Sequence, residues 1–170
     1  MKTVELSTCF ITKDVDACRE FYQRHLSAQA VFDCGWYVNL RIGGHGPSIQ
    51  FMQPQGKMPT FNGTGIMLNF KVDDVDSEQT RLIGAGLQTA MPLEDHPWGD
   101  RGFSVIDPIG NSVYIYSDRE PSDEFKQYYK GYRDREEPRS SPLPHHRRFG
   151  SVYGGSADQA ESEPGEQKTE

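Results

Sequence analysis

The residue types most often recruited for chemistry are scattered along this chain. The five histidines are His25, His45, His96, His145 and His146. His25 ends a helical pattern, where a partly exposed cation beside the C-terminal dipole is the ordinary state. His45 sits in a Gly-rich turn, His96 adjoins Asp95 in a loop, and His145-His146 fall in a polar tail. All five read as surface residues, with His96 set apart because its loop leads into Trp98. Cys9, Cys18 and Cys34 are an odd set without CxxC spacing, which argues against a disulfide framework or a zinc cluster and fits reduced thiols in the cytoplasm. The carboxylates Asp33 and Glu94-Asp95 could meet a cationic group, although solvated carboxylates are the simpler reading. The two tryptophans, Trp36 and Trp98, could stack on a planar ligand.

The bulk composition narrows the function classes. The chain has 170 residues, 35% of them hydrophobic, and a formal net charge of −7. An acidic body is the wrong surface for nucleic acid, which needs clustered Lys and Arg. It suits a cationic ligand by long-range attraction. No apolar run is long enough to span a bilayer, and MKTVELSTCF lacks the h-region of a signal peptide, so a cytoplasmic protein is expected.

The elements that must position these residues repeat. Thr12-Lys13-Asp14-Val15-Asp16-Ala17 matches Val72-Asp73-Asp74-Val75-Asp76-Ser77 at an offset of 60. Each follows a β-patterned run, Val4 to Ile11 and Gly65 to Val72, and each precedes a helical pattern capped by Asp14 or Asp74. The first helix places Val15, Cys18, Phe21, Tyr22 and Leu26 on one face; the second uses Val75, Leu82 and Ile83 and is stopped by Gly84 and Gly86. Three short strands follow each helix: Ala30–Cys34, Trp36–Ile42 and Ser48–Met52, then Gln88–Leu93, Gly102–Ile106 and Ser112–Tyr116. The chain therefore reads as an α+β fold of two βαβββ units, residues 1–52 and 64–120, joined by a linker at 53–63. Residues 121–132 predict a short helix with Phe125, Tyr128, Tyr129 and Tyr132 on one side. Residues 133–170 lack the apolar content for a core and predict a disordered tail.

Three stretches carry a family resemblance: Asp14 through Phe21-Tyr22, Phe70–Asp76 (FKVDDVD), and Trp98–Ser117 (WGDRGFSVIDPIGNSVYIYS). The sequence is similar to the glyoxalase/bleomycin-resistance/dioxygenase superfamily, the vicinal oxygen chelate (VOC) proteins. The resemblance implies that each βαβββ unit curls into half of an open, barrel-like fold whose concave side holds a ligand.

Enzymes of that superfamily hold a divalent metal at four positions, one on the first and one on the last strand of each half. Carried onto this chain, the positions are Ser7, Gln50, Met67 and Tyr114, and Ser7 and Met67 again differ by 60. Hard cations want carboxylates and imidazoles; a serine, a thioether and a phenol are poor substitutes, leaving one weak ligand in Gln50. No metal or other cofactor is therefore expected. The remaining lining, Ser7, Tyr37, Gln50, Met67, Trp98, Arg101, Phe103 and Tyr114, suits a small amphipathic or aromatic ligand. The resemblance to metal-free bleomycin-resistance proteins implies a homodimer that sequesters a drug or metabolite without altering it, with no catalytic residue. A glyoxalase-like lyase, isomerase or dioxygenase is the alternative, and metal content separates the two.

Overall fold

The computed structural model describes residues 6–44 and 46–130. Thr8–Ile11 (β1), Val15–Leu26 (α1), Gln29–Asp33 (β2), Tyr37–Arg41 (β3) and Ser48–Met52 (β4) form the first βαβββ unit. Met67–Lys71 (β5), Val75–Gly84 (α2), Thr89–His96 (β6), Asp100–Ile106 (β7) and Ser112–Asp118 (β8) form the second, followed by the short α3, Asp123–Lys126. Each unit is a four-stranded mixed sheet, ordered β1-β4-β3-β2 and β5-β8-β7-β6, and neither closes into a barrel. In both, the first strand runs parallel to the last, with Cys9 opposite Gln50 and Asn69 opposite Tyr114. The offset seen in sequence is thus a repeat of register.

Side chains alternate across a strand, so the register divides each sheet into two faces. Phe10, Val38, Leu40, Ile49 and Phe51 cover one face of the first sheet; Phe103, Val105, Val113 and Ile115 cover one face of the second. All are buried in a single cluster with Val15, Cys18, Phe21 and Tyr22 of α1 and Val75 and Leu82 of α2. The helix-side faces therefore share one core. The opposite faces, bearing Gln50 and Tyr114, are turned away from it.

Two sequence motifs meet in that core. Asp107, in the β7–β8 turn, accepts hydrogen bonds from the Ile109 amide (3.1 Å), the Asn111 amide (2.8 Å) and Asn111 Nδ2 (2.8 Å). The buried Tyr22 hydroxyl of α1 donates a fourth, 2.9 Å long, tying the two halves together. The linker is tied to both halves as well. The Phe61 amide donates to the Ile11 carbonyl at 2.7 Å, and Gly63, at φ +76°, lies so close to the next turn that a Cβ would sit 2.8 Å from the Ile109 carbonyl oxygen.

Several local expectations need correction. Asp74 caps α2 by accepting from the Ser77 amide at 3.1 Å, but Asp14 makes no side-chain cap bond. There the Thr12 hydroxyl oxygen accepts from the Asp14 amide instead, at 3.1 Å. Ile83 is 43% exposed, because α2 turns only Val75 and Leu82 fully inward. The α3 helix covers four residues, shorter than its aromatic spacing implied. Val4, Glu5, His45, Tyr132 and the expected tail at 133–170 lie outside the described residues.

Candidate functional site

Two of the four positions touch: Gln50 Nε2 donates to Ser7 Oγ at 3.0 Å. Both stand on the outer face of the first sheet, with Asn39 opposite Gln50 and Tyr37 opposite Met52. Tyr37 is half-buried, and burial, then Cys9 and Cys34, push its phenol pKa up. Phe32 and Trp36 adjoin it, with ring centroids 5.7 and 6.1 Å away.

Met67 and Tyr114 share the outer face of the second sheet, Met67 opposite Ser112 and Asn69 opposite Tyr114. Met67 is 49% exposed. Tyr114 is buried for a local reason. Its ring lies across β7 over Gly102, where a Cβ would fall 2.3 Å from the phenol oxygen and 2.4 Å from Cζ. The missing side chain lets the Tyr114 hydroxyl donate to Asp100 Oδ1 at 3.1 Å and approach His96 Nδ1 at 3.2 Å. His96 Nδ1 in turn lies 2.8 Å from Asp100 Oδ1, because His96 and Asp100 are strand partners flanking the tight Pro97-Trp98-Gly99 turn. Trp98 stacks on the His96 ring, centroids 4.3 Å apart and planes 7° from parallel. Phe125 of α3 meets Trp98 edge-on at 6.4 Å, and the Tyr129 hydroxyl donates to the Trp98 carbonyl.

His96 is thus a member of a half-buried cluster, where sequence had suggested a surface residue. Asp100 and Gly102 were not foreseen at all, although the glycine in WGDRGF was the available signal. Trp98 is 43% exposed. Phe103 does not join the lining: it is fully buried on the helix-side face, opposite Ile115. Arg101 is also on that side, bonded to Asp76 of α2 at 2.9 Å and to Asp95 at 3.3 Å. Adjacent strand residues must point to opposite faces, so Arg101 and Phe103 both frame the face they do not share with Gly102, and both leave the site. Asp33 is held by Arg19 in a two-pronged pair at 2.6 and 3.0 Å, which weakens it as a partner for a ligand cation. His25 departs from the cation expected of it, since burial, then Arg24 and Arg81, lower its pKa.

Two buried oxygens without a hydrogen-bond partner, Asn39 Oδ1 and Ser104 Oγ, stand at equivalent places in the repeat. Asn39 pairs with Gln50 and Ser104 with Tyr114. A cleft of about 410 Å³ runs between the halves beside β1 and β5, lined by Thr8, Ser48, Ile49, Asn69 and Lys71 among others. None of the eight expected lining residues borders it.

The donor set does not fit a hard divalent metal. Ser7 and Gln50 satisfy one another, Met67 offers only a thioether, and burial, then Asp100, hold the Tyr114 phenol protonated well above its ordinary range. Among the described residues no three His, Cys, Asp or Glu side chains gather as a metal site. Thiol nucleophilicity is equally poorly supported: burial, then Asp107 and Asp14, push the Cys18 thiol up to about 12.

The two repeats match a known family. Residues 6–115 match the model of the Glyoxalase/Bleomycin resistance protein/Dioxygenase superfamily, and the chain belongs to it. An uncharacterized protein of Mycobacterium tuberculosis (strain ATCC 25618 / H37Rv) is 37% identical over 81 residues, covering 44% of this chain and 48% of that one. A Mycobacterium bovis relative, also uncharacterized, matches at 37% over 81 residues, 44% of this chain and 53% of its own. The chain thus spans about half the length of the curated relatives it matches. Among solved structures, the lactoylglutathione lyase of Agrobacterium tumefaciens superposes with a TM-score of 0.55 at 22% identity, over 68% of this chain and 94% of that one. An antibiotic binding protein from Streptomyces sp. CB03234 gives 0.58 at 20%, over 69% and 97%. At these identities the superpositions speak for the fold alone. Among the described residues no helix is long and apolar enough to cross a membrane.

Proposed function

We propose that this protein binds a small aromatic or amphipathic molecule on the outer faces of its two sheets, without metal, and sequesters it unchanged. The observation that carries this reading is the chemistry of the four superfamily metal positions. Ser7 and Gln50 are bonded to one another, the Tyr114 hydroxyl is bonded to Asp100, and Met67 stands exposed with only a thioether to offer. The antibiotic-binding Streptomyces structure is a precedent for such a role on this fold.

A second copy completes the site in this proposal. Phe32, Met67, Met91 and Ile106 are each more than a third exposed on the outer faces, an apolar surface that a homodimer would cover. Pairing the first sheet of one protomer with the second sheet of its partner would bring Ser7 and Gln50 toward the partner's counterpart of Tyr114. A reducing, cytoplasmic setting accords with Cys9, Cys18 and Cys34, all free thiols.

The test is a ligand screen read by Trp36 and Trp98 fluorescence, using cationic antibiotics, aromatic metabolites and glutathione adducts, with mass spectrometry of the recovered compound. Saturable quenching by a compound recovered intact supports sequestration. Turnover of any compound, together with near-stoichiometric Ni, Zn, Mn or Fe in the purified protein, would overturn it in favour of a glyoxalase-like enzyme.

A further inference from the structure

The cluster on the second sheet contains one polar atom that the fold leaves open. Asp100 Oδ1 is approached by His96 Nδ1 at 2.8 Å and by the Tyr114 hydroxyl at 3.1 Å. An ionised carboxylate only accepts, so both neighbours must donate to it. The tautomer that satisfies this carboxylate carries its proton on Nδ1, with the lone pair on Nε2. Among the described residues Nε2 makes no hydrogen bond, and the His96 side chain keeps 12% of its surface exposed.

The ring is also held in place. Trp98 lies parallel beneath it at 4.3 Å, and Tyr114, seated over Gly102, closes the Nδ1 side. His96 has little freedom to turn. Its surroundings match the general rule for an oriented imidazole, one nitrogen bonded to a carboxylate and the other presented outward.

From this geometry we infer that His96 Nε2 is a fixed hydrogen-bond acceptor selecting planar aromatic ligands that carry a hydroxyl or N–H donor, with Asp100 as its positioning residue. This rests on the aromatic-binding reading and narrows it to a ligand class. The preferred hydrogen bond to Nε2 lies in the imidazole plane. A donor placed there belongs to a ring lying level with His96, and Trp98, parallel to that plane and 43% exposed, offers a face for stacking. A ligand of the same shape with no donor would strand the Nε2 lone pair, and leaving a polar group unpaired is the stronger source of discrimination.

The probe pair is 1-naphthol and 1-methoxynaphthalene, nearly equal in apolar surface and differing in the donor. Titration calorimetry on the full chain should show naphthol binding about tenfold tighter, the equivalent of about 1.4 kcal/mol. His96→Phe keeps a ring to stack on Trp98 and should erase the preference by weakening naphthol alone. Asp100→Asn releases the tautomer and should reduce the preference of naphthol over methoxynaphthalene; circular dichroism checks the fold of both variants. Equal binding of the two probes to the natural chain, or a preference that survives in His96→Phe, overturns this inference and leaves aromatic binding standing. Failure of both probes to bind overturns both.

Discussion

Replacing Tyr22 with Phe removes one atom from the bond that joins the two halves. The Tyr22 ring is fully buried, between Phe21 at 5.4 Å and Phe51 at 5.2 Å, so phenylalanine keeps the packing and loses the hydroxyl. Asp107 keeps three donors at 2.8 to 3.1 Å and is not abandoned in the core. A hydrogen bond to a charged acceptor contributes about 1.5–3 kcal/mol, and the surviving donors argue for the low end, about 1.5–2 kcal/mol. For a domain of this size each kcal/mol moves the melting temperature by about 4 °C, so Tm should fall by about 6–8 °C. A pH signature accompanies it. Burial, then Asp107, raise the Tyr22 pKa above its ordinary value, so the unfolded chain loses that proton first. Stability from Tyr22 is therefore fully present below about pH 10 and is lost as pH rises further, at up to about 1.4 kcal/mol per pH unit. Thermal and urea unfolding followed by circular dichroism at pH 7.5 and above pH 10 measure both effects. The variant should be less stable at neutral pH and show a shallower alkaline decline. A Tm change below about 2 °C with an unchanged alkaline slope would refute the bridge between the halves.

Gly102→Ala places a Cβ within 2.4 Å of the Tyr114 ring and must displace the phenol; overpacking of this kind costs about 1–3 kcal/mol, and naphthol affinity should fall with it in calorimetry. Phe103→Ala should cost about 3–5 kcal/mol in urea unfolding, as a core truncation does. Arg101→Ala should change stability by about 1 kcal/mol or less and leave ligand affinity unaltered, since its ion pairs to Asp76 and Asp95 are largely solvated. The lowered His25 pKa means that the folded chain resists protonation there; this stabilisation is present above the ordinary histidine value near 6.5 and is lost as pH falls below it. His25→Gln should accordingly flatten the decline in Tm between about pH 7 and pH 5.

The fold was legible because its signals are local or repetitive. Asp14 and Asp74 mark equal points of the repeat, alternation marks the strands, and DPIGN forms the turn it implies. Asp107 in that turn also explains why the distant Tyr22 belongs to the same pattern. The site was harder to read. Positions defined by register, Ser7 with Gln50 and Met67 with Tyr114, share one face of each sheet. Arg101 and Phe103 did not, since they neighbour Gly102 in sequence and therefore point away from it. The His96–Asp100 pair depends on a two-strand turn bringing those residues opposite one another, and on a glycine leaving space for Tyr114. Neither follows from residue type or spacing on one strand.

The central claim is that the outer faces hold an aromatic ligand by hydrogen bonding and stacking, without metal. Calorimetric titration of 1-naphthol into the full chain, before and after exhaustive treatment with a chelator, tests it most directly. The account predicts the same affinity in both states, no gain on adding Ni, Zn, Mn or Fe, and naphthol recovered unchanged. Binding that disappears with the chelator and returns with one of those metals would contradict it.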